Sequence, residues 1–171
     1  MSTPASGNAA LPAFEPAALR QAFACFPSGV TAVCALVGDR PQGMAASSFT
    51  SVSLDPPLVS VCVAHSSTTW PVLATRPALG VSVLAQEHTA VAGALSAKSA
   101  DRFATVAFET AESGAVFVHG SSLWLECAVH AVLPAGDHDI ILLRILALQA
   151  YPDVAPMIFH GSRFRQLAAS S

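Results

Sequence analysis

The stretch Leu123-Trp124-Leu125-Glu126-Cys127-Ala128-Val129, followed by Pro134-Ala135-Gly136 and then by the apolar run Ile140 to Leu148, decides the fold class. Leu123, Leu125, Cys127 and Val129 alternate with more polar neighbours, which is the two-residue period of a half-buried strand. Proline and glycine break the run, and a second strand-like run follows. The pattern recurs on either side. Val30 to Val37 ends at the turn Gly38-Asp39, and Leu58 to Ala64 follows the turn Asp55-Pro56-Pro57. Leu79 to Leu84 reads as a strand, Met157 to His160 as a short one, and Phe164 to Leu167 closes the chain. Val116 to Gly120 and Ser122 to Leu133 read as a hairpin pair.

Helical signals are few. Pro16 suits a first turn, and Leu19, Ala22, Phe23 and Phe26 fall on one helical face before Pro27 and Gly29 stop it. Trp70 to Thr75 and Gln86 to Leu95 are the other helical segments. The expected class is mainly β with short helices, closed into a barrel because closure removes exposed strand edges. There is no βαβ alternation and no G-x-G-x-x-G, so a dinucleotide-binding doubly wound sheet is disfavoured.

With 171 residues the chain has room for one domain. Residues 1–16, rich in Ala, Pro, Ser and Gly, read as a loose N-terminal arm, and residues 17–171 as the folded domain. The composition is 53% hydrophobic and only 11% charged, against roughly 25% charged in ordinary domains. A lone monomer would struggle to hide so much apolar surface, so a homodimer is expected. The net charge of −3 and the scattered Lys and Arg argue against nucleic acid. Ile140 to Leu148 is too short to cross a bilayer and contains Arg144, so no membrane partner is expected. The start of the chain lacks the basic and apolar regions of a signal peptide, which gives a cytoplasmic reading. Cys25, Cys34, Cys62 and Cys127 form no Cys-x-x-Cys pair; they read as small buried apolar residues, with no metal site.

Three segments could carry chemistry. Ala45 to Ser53 places five hydroxyls and several small side chains beside backbone that a ligand can approach closely. A flat heteroaromatic ring with carbonyl and imide edges needs such a wall, although a polar surface strand has the same composition. His65-Ser66-Ser67-Thr68-Thr69 follows a buried strand and precedes a helical turn. Its hydroxyls and N–H groups suit a phosphate, with Lys98 and Arg102 as counter-charges; the commoner readings of these residues are a plain N-cap and, for Lys98 and Arg102, a solvated loop. Gly136-Asp137-His138 sits in a turn where no histidine is needed for packing. Its ring could contact a nicotinamide, with Asp137 fixing the tautomer. There is no G-x-S-x-G elbow and no conspicuous carboxylate pair, so serine hydrolysis and glycoside hydrolysis lack support.

Taken in order, these blocks resemble the flavin reductase family typified by the small reductase components of two-component aromatic hydroxylases. The resemblance runs from about Leu19 to Leu167. It includes Phe26-Pro27-Ser28-Gly29-Val30-Thr31, then Gly43-Met44, then Ser48-Phe49-Thr50-Ser51-Val52-Ser53-Leu54-Asp55-Pro56-Pro57-Leu58-Val59. It continues through Asp101-Arg102-Phe103, Leu125-Glu126-Cys127, Gly136-Asp137-His138 and Gly161 to Leu167. The chain departs from the family at Ala45-Ala46-Ser47, where Thr-Ala-Asn is common, and at Ala115, Leu143 and Phe164.

The resemblance implies an FMN-binding split β-barrel of Greek-key type, FAD replacing FMN in some members. It places flavin contacts on Met44, Ala45, Ala46, Ser47, Ser48, Thr50 and Ser51, on Cys62, Val63, Ala64, Ser66, Ser67 and Thr69, and on Arg102 and Phe103. It places NADH or NADPH against His138, His160, Gly161, Ser162 and Arg163. The expected reaction is hydride transfer from the nicotinamide to the flavin, with His138 as the catalytic residue that orients the donor. Reduced flavin would pass to a partner flavin-dependent monooxygenase. Two other readings share the barrel: a flavin oxidase acting on a bound organic substrate, and a non-enzymatic flavin- or haem-binding module.

Overall fold

The computed structural model describes residues 14–98 and 101–167. The arm expected over residues 1–16 therefore lies almost wholly outside the described residues. The elements are α1 (Pro16–Phe23), β1 (Ser28–Gly29), β2 (Thr31–Val37), β3 (Arg40–Ala46), β4 (Thr50–Leu54) and β5 (Pro57–Ala64), followed by α2 (Trp70–Leu73), β6 (Leu79–Val83) and α3 (Thr89–Ser96). After them come β7 (Phe108–Thr110), β8 (Val116–Val118), β9 (Leu123–Ala135), β10 (His138–Ala150), β11 (Ile158–His160) and β12 (Arg163–Arg165).

Seven strands form one antiparallel sheet in the order β3-β2-β6-β9-β10-β5-β4. Its first edge, β3, and its last strands, β5 and β4, are joined by only Ser47 to Phe49. The sheet therefore curls until these edges meet, and the Ser48 hydroxyl closes the seam. It donates to the Cys62 carbonyl at 3.1 Å and accepts from the Cys62 N–H at 2.9 Å. A side chain thus supplies the pairing that a neighbouring strand would otherwise give β5.

Alternation sorts the core. Val59, Val61 and Val63 on β5, Leu125 and Cys127 on β9, and Ile141 and Leu143 on β10 point into the curl with Leu73 and Trp70 of α2. Strand β2 is covered on both faces: Val33 and Ala35 join that interior, whereas Ala32 and Cys34 face a second cluster with Ala92 and Leu95 of α3, Phe103, Val116 and Met157. Burial on both faces is why Val30 to Val37 reads as an apolar run, its one polar residue, Thr31, being buried with its hydroxyl donating to the Ala46 carbonyl at 3.0 Å.

Three expectations need correction. Val116–Val118 and Leu123–Ala135 do not pair with each other: β8 pairs with β7, and β9 lies between β6 and β10. The groups a β8–β9 ladder would use are engaged elsewhere. The Val118 N–H donates to Ser82 Oγ at 3.0 Å, and the Val118 carbonyl accepts from Trp124 Nε1 at 2.8 Å. Helix α1 stops at Phe23 rather than Phe26, and its apolar face is not buried: Phe23 and Phe26 are 71% and 76% exposed. Only Cys34 and Cys127 are buried, whereas Cys25 and Cys62 are exposed because their side chains face outward from the core.

Candidate active site

The strip Met44 to Ser48 leaves β3 beside the C-terminal end of β5, where Cys62, Val63 and Ala64 stand. Together with Ser66 to Thr69, Leu95, Ser96, Lys98, Arg102 and His138 they line a hollow of about 460 Å³. The small side chains of Ala45 to Ser48 leave the backbone here accessible to a flat ligand. The hydroxyl segment turns into α2, where the Trp70 N–H donates to Ser67 Oγ at 3.1 Å. The N-cap of α2 is Thr69, whose side chain makes no capping bond, so Ser67 holds the turn that leads into the helix rather than capping it. The other hydroxyls of Ser66 to Thr69 line the same hollow.

Arg102 supplies the charge. One guanidinium nitrogen, Nη1, donates to the Gly43 carbonyl at 2.9 Å and to Thr69 Oγ1 at 2.8 Å. The arginine is thereby tied to β3 and to the hydroxyl segment at once, so a phosphate there would meet a preset donor. Lys98 adds a second cation, and among the described residues no carboxylate lines this hollow. An acid-free hollow with two cations and several hydroxyls suits an anionic group.

His138 stands at the rim, at the tip of the β9–β10 hairpin. Its turn is Gly136-Asp137, with Gly136 at φ 70° and Ala135 paired to His138. A left-handed first position is what a two-residue II′ turn demands, so glycine is required there. His138 Nδ1 lies 2.7 Å from Asp137 Oδ1. This hydrogen bond, with the imidazole charge, holds the Asp137 carboxyl below the usual carboxylate range. In the neutral ring it makes Nδ1 the donor and leaves Nε2 as an acceptor. His65 grips both flanks of this residue. Its backbone N–H donates to the Asp137 carbonyl at 3.0 Å, and its Nε2 lies 3.0 Å from Asp139 Oδ1.

A second hollow of about 850 Å³ adjoins the first through Ser47 and Ser48. Its lining is more aromatic: Phe23 and Phe26 after α1, Phe49 and Phe159, with Arg20, Thr50, Ser51 and Ser162. The β11–β12 turn, Gly161-Ser162, closes one side. Both turn residues have positive φ, 60° and 58°, the pattern of a type I′ hairpin. The Gly161 N–H donates to the Ala24 carbonyl at 2.9 Å and ties this hairpin to the end of α1.

The structure divides the expected site residues. Met44, Ala45, Ala46, Cys62, Val63, Ala64, Ser66, Ser67, Thr69, Arg102 and His138 share the first hollow, and Ser47 and Ser48 line both. Thr50, Ser51 and Ser162 belong to the second. His160 and Gly161 line a third surface hollow with Ser162 and α1. Arg163 is exposed at the start of β12. Phe103 turns away from the first hollow. It is buried against Phe108, the rings edge to face with centroids 5.6 Å apart. Leu95 and Ser96 at the end of α3, and Phe23 and Phe26, are lining residues that sequence reasoning did not assign to a site. Their contact with it comes from long-range docking and leaves no local pattern.

The buried thiols of Cys34 and Cys127 are each pushed up to about 12 by burial, so neither is a thiolate at neutral pH. Among the described residues no three His, Cys, Asp or Glu side chains gather as a metal-ligand set. Residues 23–168 match the Flavin reductase like domain, which covers most of the chain, all of the first hollow and every lining residue of the second but Arg20.

The chain belongs to the flavin reductase like family.

Its relatives include the NADH-dependent FAD reductase of Streptomyces globisporus, 41% identical over 155 residues, with 88% of this chain and 85% of the relative covered. The actinorhodin polyketide dimerase of Streptomyces coelicolor is 38% identical, with 90% of this chain and 87% of the relative covered. The reductase subunit of a flavin-dependent monooxygenase from Mycobacterium tuberculosis is 30% identical, with 83% of this chain and 76% of the relative covered. Among solved structures, the NADH:FAD oxidoreductase of Streptomyces globisporus in complex with NAD and FAD fragments superposes with a TM-score of 0.85 at 39% identity, covering 92% of this chain and 98% of that one. Flavin reductase structures share the split-barrel fold, and the mainly β expectation holds. Among the described residues no helix is long and apolar enough to cross a membrane.

Proposed function

We propose that this chain is an NADH-dependent flavin reductase that holds the flavin in the first hollow and supplies reduced flavin to a partner flavin-dependent monooxygenase. The observation that carries this reading is the acid-free hollow at the β3–β5 seam, with Arg102 tied to Gly43 and Thr69. Arg102, Lys98 and the hydroxyls of Ser66 to Thr69 suit the flavin phosphate. The strip Ala45 to Ser48 offers small side chains and main-chain groups to the ring. When bound, the flavin supplies a hydride acceptor for NADH.

The protein's own share of the work is orientation and exclusion of water. The aromatic hollow shares Ser47 and Ser48 with the flavin cradle, so a nicotinamide docked there would lie beside the ring. His138, locked by Asp137 and His65, presents Nε2 at the rim. A homodimer fits the surface. Phe23 and Phe26, Leu54 (96% exposed) and Leu148 (66% exposed) leave apolar side chains in water on the single chain. The test is anaerobic mixing of the protein with NADH and FMN or FAD. The flavin absorbance should bleach with one NADH oxidised per flavin. No NADH consumption with either flavin would overturn the reading.

A further inference from the structure

The two faces of the hairpin that carries His138 are used differently. Register pairs His138 with Ala64 and Asp139 with Val63, and the His65 N–H donates to the Asp137 carbonyl as the last rung of this β5–β10 ladder. Side chains alternate along a strand, so Asp139 points to the face opposite His138. His65 lies diagonally across from Asp139, a spacing that long side chains bridge in antiparallel pairs. The bridge is made: His65 Nε2 stands 3.0 Å from Asp139 Oδ1. His138 lines the flavin hollow, whereas His65 and Asp139 line neither hollow.

Two histidine–carboxylate bonds thus bracket one residue. Asp137, just before His138, holds the His138 ring at Nδ1, and Asp139, just after it, is held by the His65 ring. His65 joins the two halves, bonding Asp137 through its main chain and Asp139 through its side chain. Its charge also reaches Asp137, whose carboxyl is held low first by the His138 hydrogen bond and charge and then by His65. Among the described residues neither His65 nor Asp139 has another side-chain partner. Their side chains are 51% and 27% exposed, so the bond adds little to global stability. What it does fix is the angle at which the hairpin tip leaves β5, and with it the place of the His138 ring.

We propose that His65 and Asp139 are positioning residues for hydride transfer, acting through His138 by fixing the hairpin tip against the end of β5. The inference rests on the reading that His138 orients the nicotinamide. A small displacement of that ring costs rate, because the reacting atoms must meet in a narrow range of geometry. It does not cost flavin affinity, because Arg102 and the hydroxyl segment are held by other bonds.

The test is steady-state NADH oxidation with saturating FMN, together with FMN titration, for Asp139→Ala, His138→Ala and the double variant. Asp139→Ala should lower kcat about fivefold, with flavin Kd raised less than about twofold and the melting temperature within about 3 °C of wild type. His65→Ala keeps the main-chain rung and should give the same profile. Asp139→Asn keeps an acceptor oxygen for His65 and should restore most of the rate. In the His138→Ala background, Asp139→Ala should cost less than about 1.5-fold further, because both losses run through one ring. Wild-type kcat in Asp139→Ala and His65→Ala, or losses that multiply in full in the double variant, would overturn the proposal. So would a flavin Kd that rises as far as kcat falls, or an Asp139→Asn no faster than Asp139→Ala. A His138→Ala enzyme with wild-type kcat would overturn the proposal and the reading beneath it together, whereas the other failures leave that reading standing.

Discussion

The two adjoining hollows differ in how they are built. The smaller one stands on the seven-stranded sheet, and its polar residues are held: Ser48 to Cys62, Arg102 to Gly43 and Thr69, Ser67 to Trp70. The larger one is walled by α1, a helix with no buried residue, and by exposed phenylalanines. The first is preorganised, so its ligand meets donors already in place. The second gains its apolar contacts only when something covers it, whether a nicotinamide or a second copy. Affinity for flavin should therefore depend on single polar residues of the first hollow. The use of NADH should depend on diffuse apolar contacts in the second.

That contrast can be broken at several points. Arg102→Ala removes a fixed cation and two hydrogen bonds, and flavin Kd should rise about 100-fold by equilibrium titration, from the 1.5–3 kcal/mol worth of charged contacts. His138→Ala should lower kcat with NADH about tenfold by misorienting the donor, and, since His138 stands only at the rim of the first hollow, should raise flavin Kd far less than Arg102→Ala does. Equal losses in both would place His138 in flavin binding instead. Ser48→Ala leaves the Cys62 N–H and carbonyl without their side-chain partner at the seam. Thermal unfolding should show a cost of about 1 kcal/mol.

The Asp137–His138 pair gives a pH signature. Asp137 has its carboxyl lowered in the fold, first by the His138 hydrogen bond and then by its charge. Its contribution is therefore present above the ordinary carboxylate range. It is lost as pH falls through the depressed folded value. The ratio of wild-type to Asp137→Asn activity should be level near neutrality and shrink toward one in acid. The smallest effect belongs to the second hollow. Phe23→Ser should change stability by less than about 0.5 kcal/mol, since the ring is exposed. It should instead raise the NADH KM or weaken self-association, read by kinetics and sedimentation.

What could be read in the sequence was local. The alternation from Leu123 to Val129, the doubly buried run of β2 and the glycine turn before His138 each declare themselves within a few residues. The small-residue strip and the hydroxyl segment did so too, and the fold brings them into one hollow. What could not be read depends on which strand lies beside which. Nothing near Val116 says that its partner is Phe108–Thr110 rather than the following segment; the Val118 N–H and carbonyl are taken instead by side chains, Ser82 of β6 and Trp124 of β9. Phe103 follows Arg102 directly, yet the two side chains serve opposite sides, one in the core and one at the hollow. A neighbour in sequence is not a neighbour in the site. Helix α1 shows the same limit in reverse: its apolar stripe is real, but among the described residues nothing covers it.

The claim on which the rest depends is that the acid-free hollow at the β3–β5 seam receives the flavin phosphate. The most direct measurement is a crystal structure of the protein soaked or grown with FAD. The account predicts the flavin phosphate within hydrogen-bond distance of Arg102 and of the hydroxyls of Ser66 to Thr69, with the ring against Ala45 to Ser48. A flavin bound elsewhere, with that hollow filled by side chains or solvent, would contradict it.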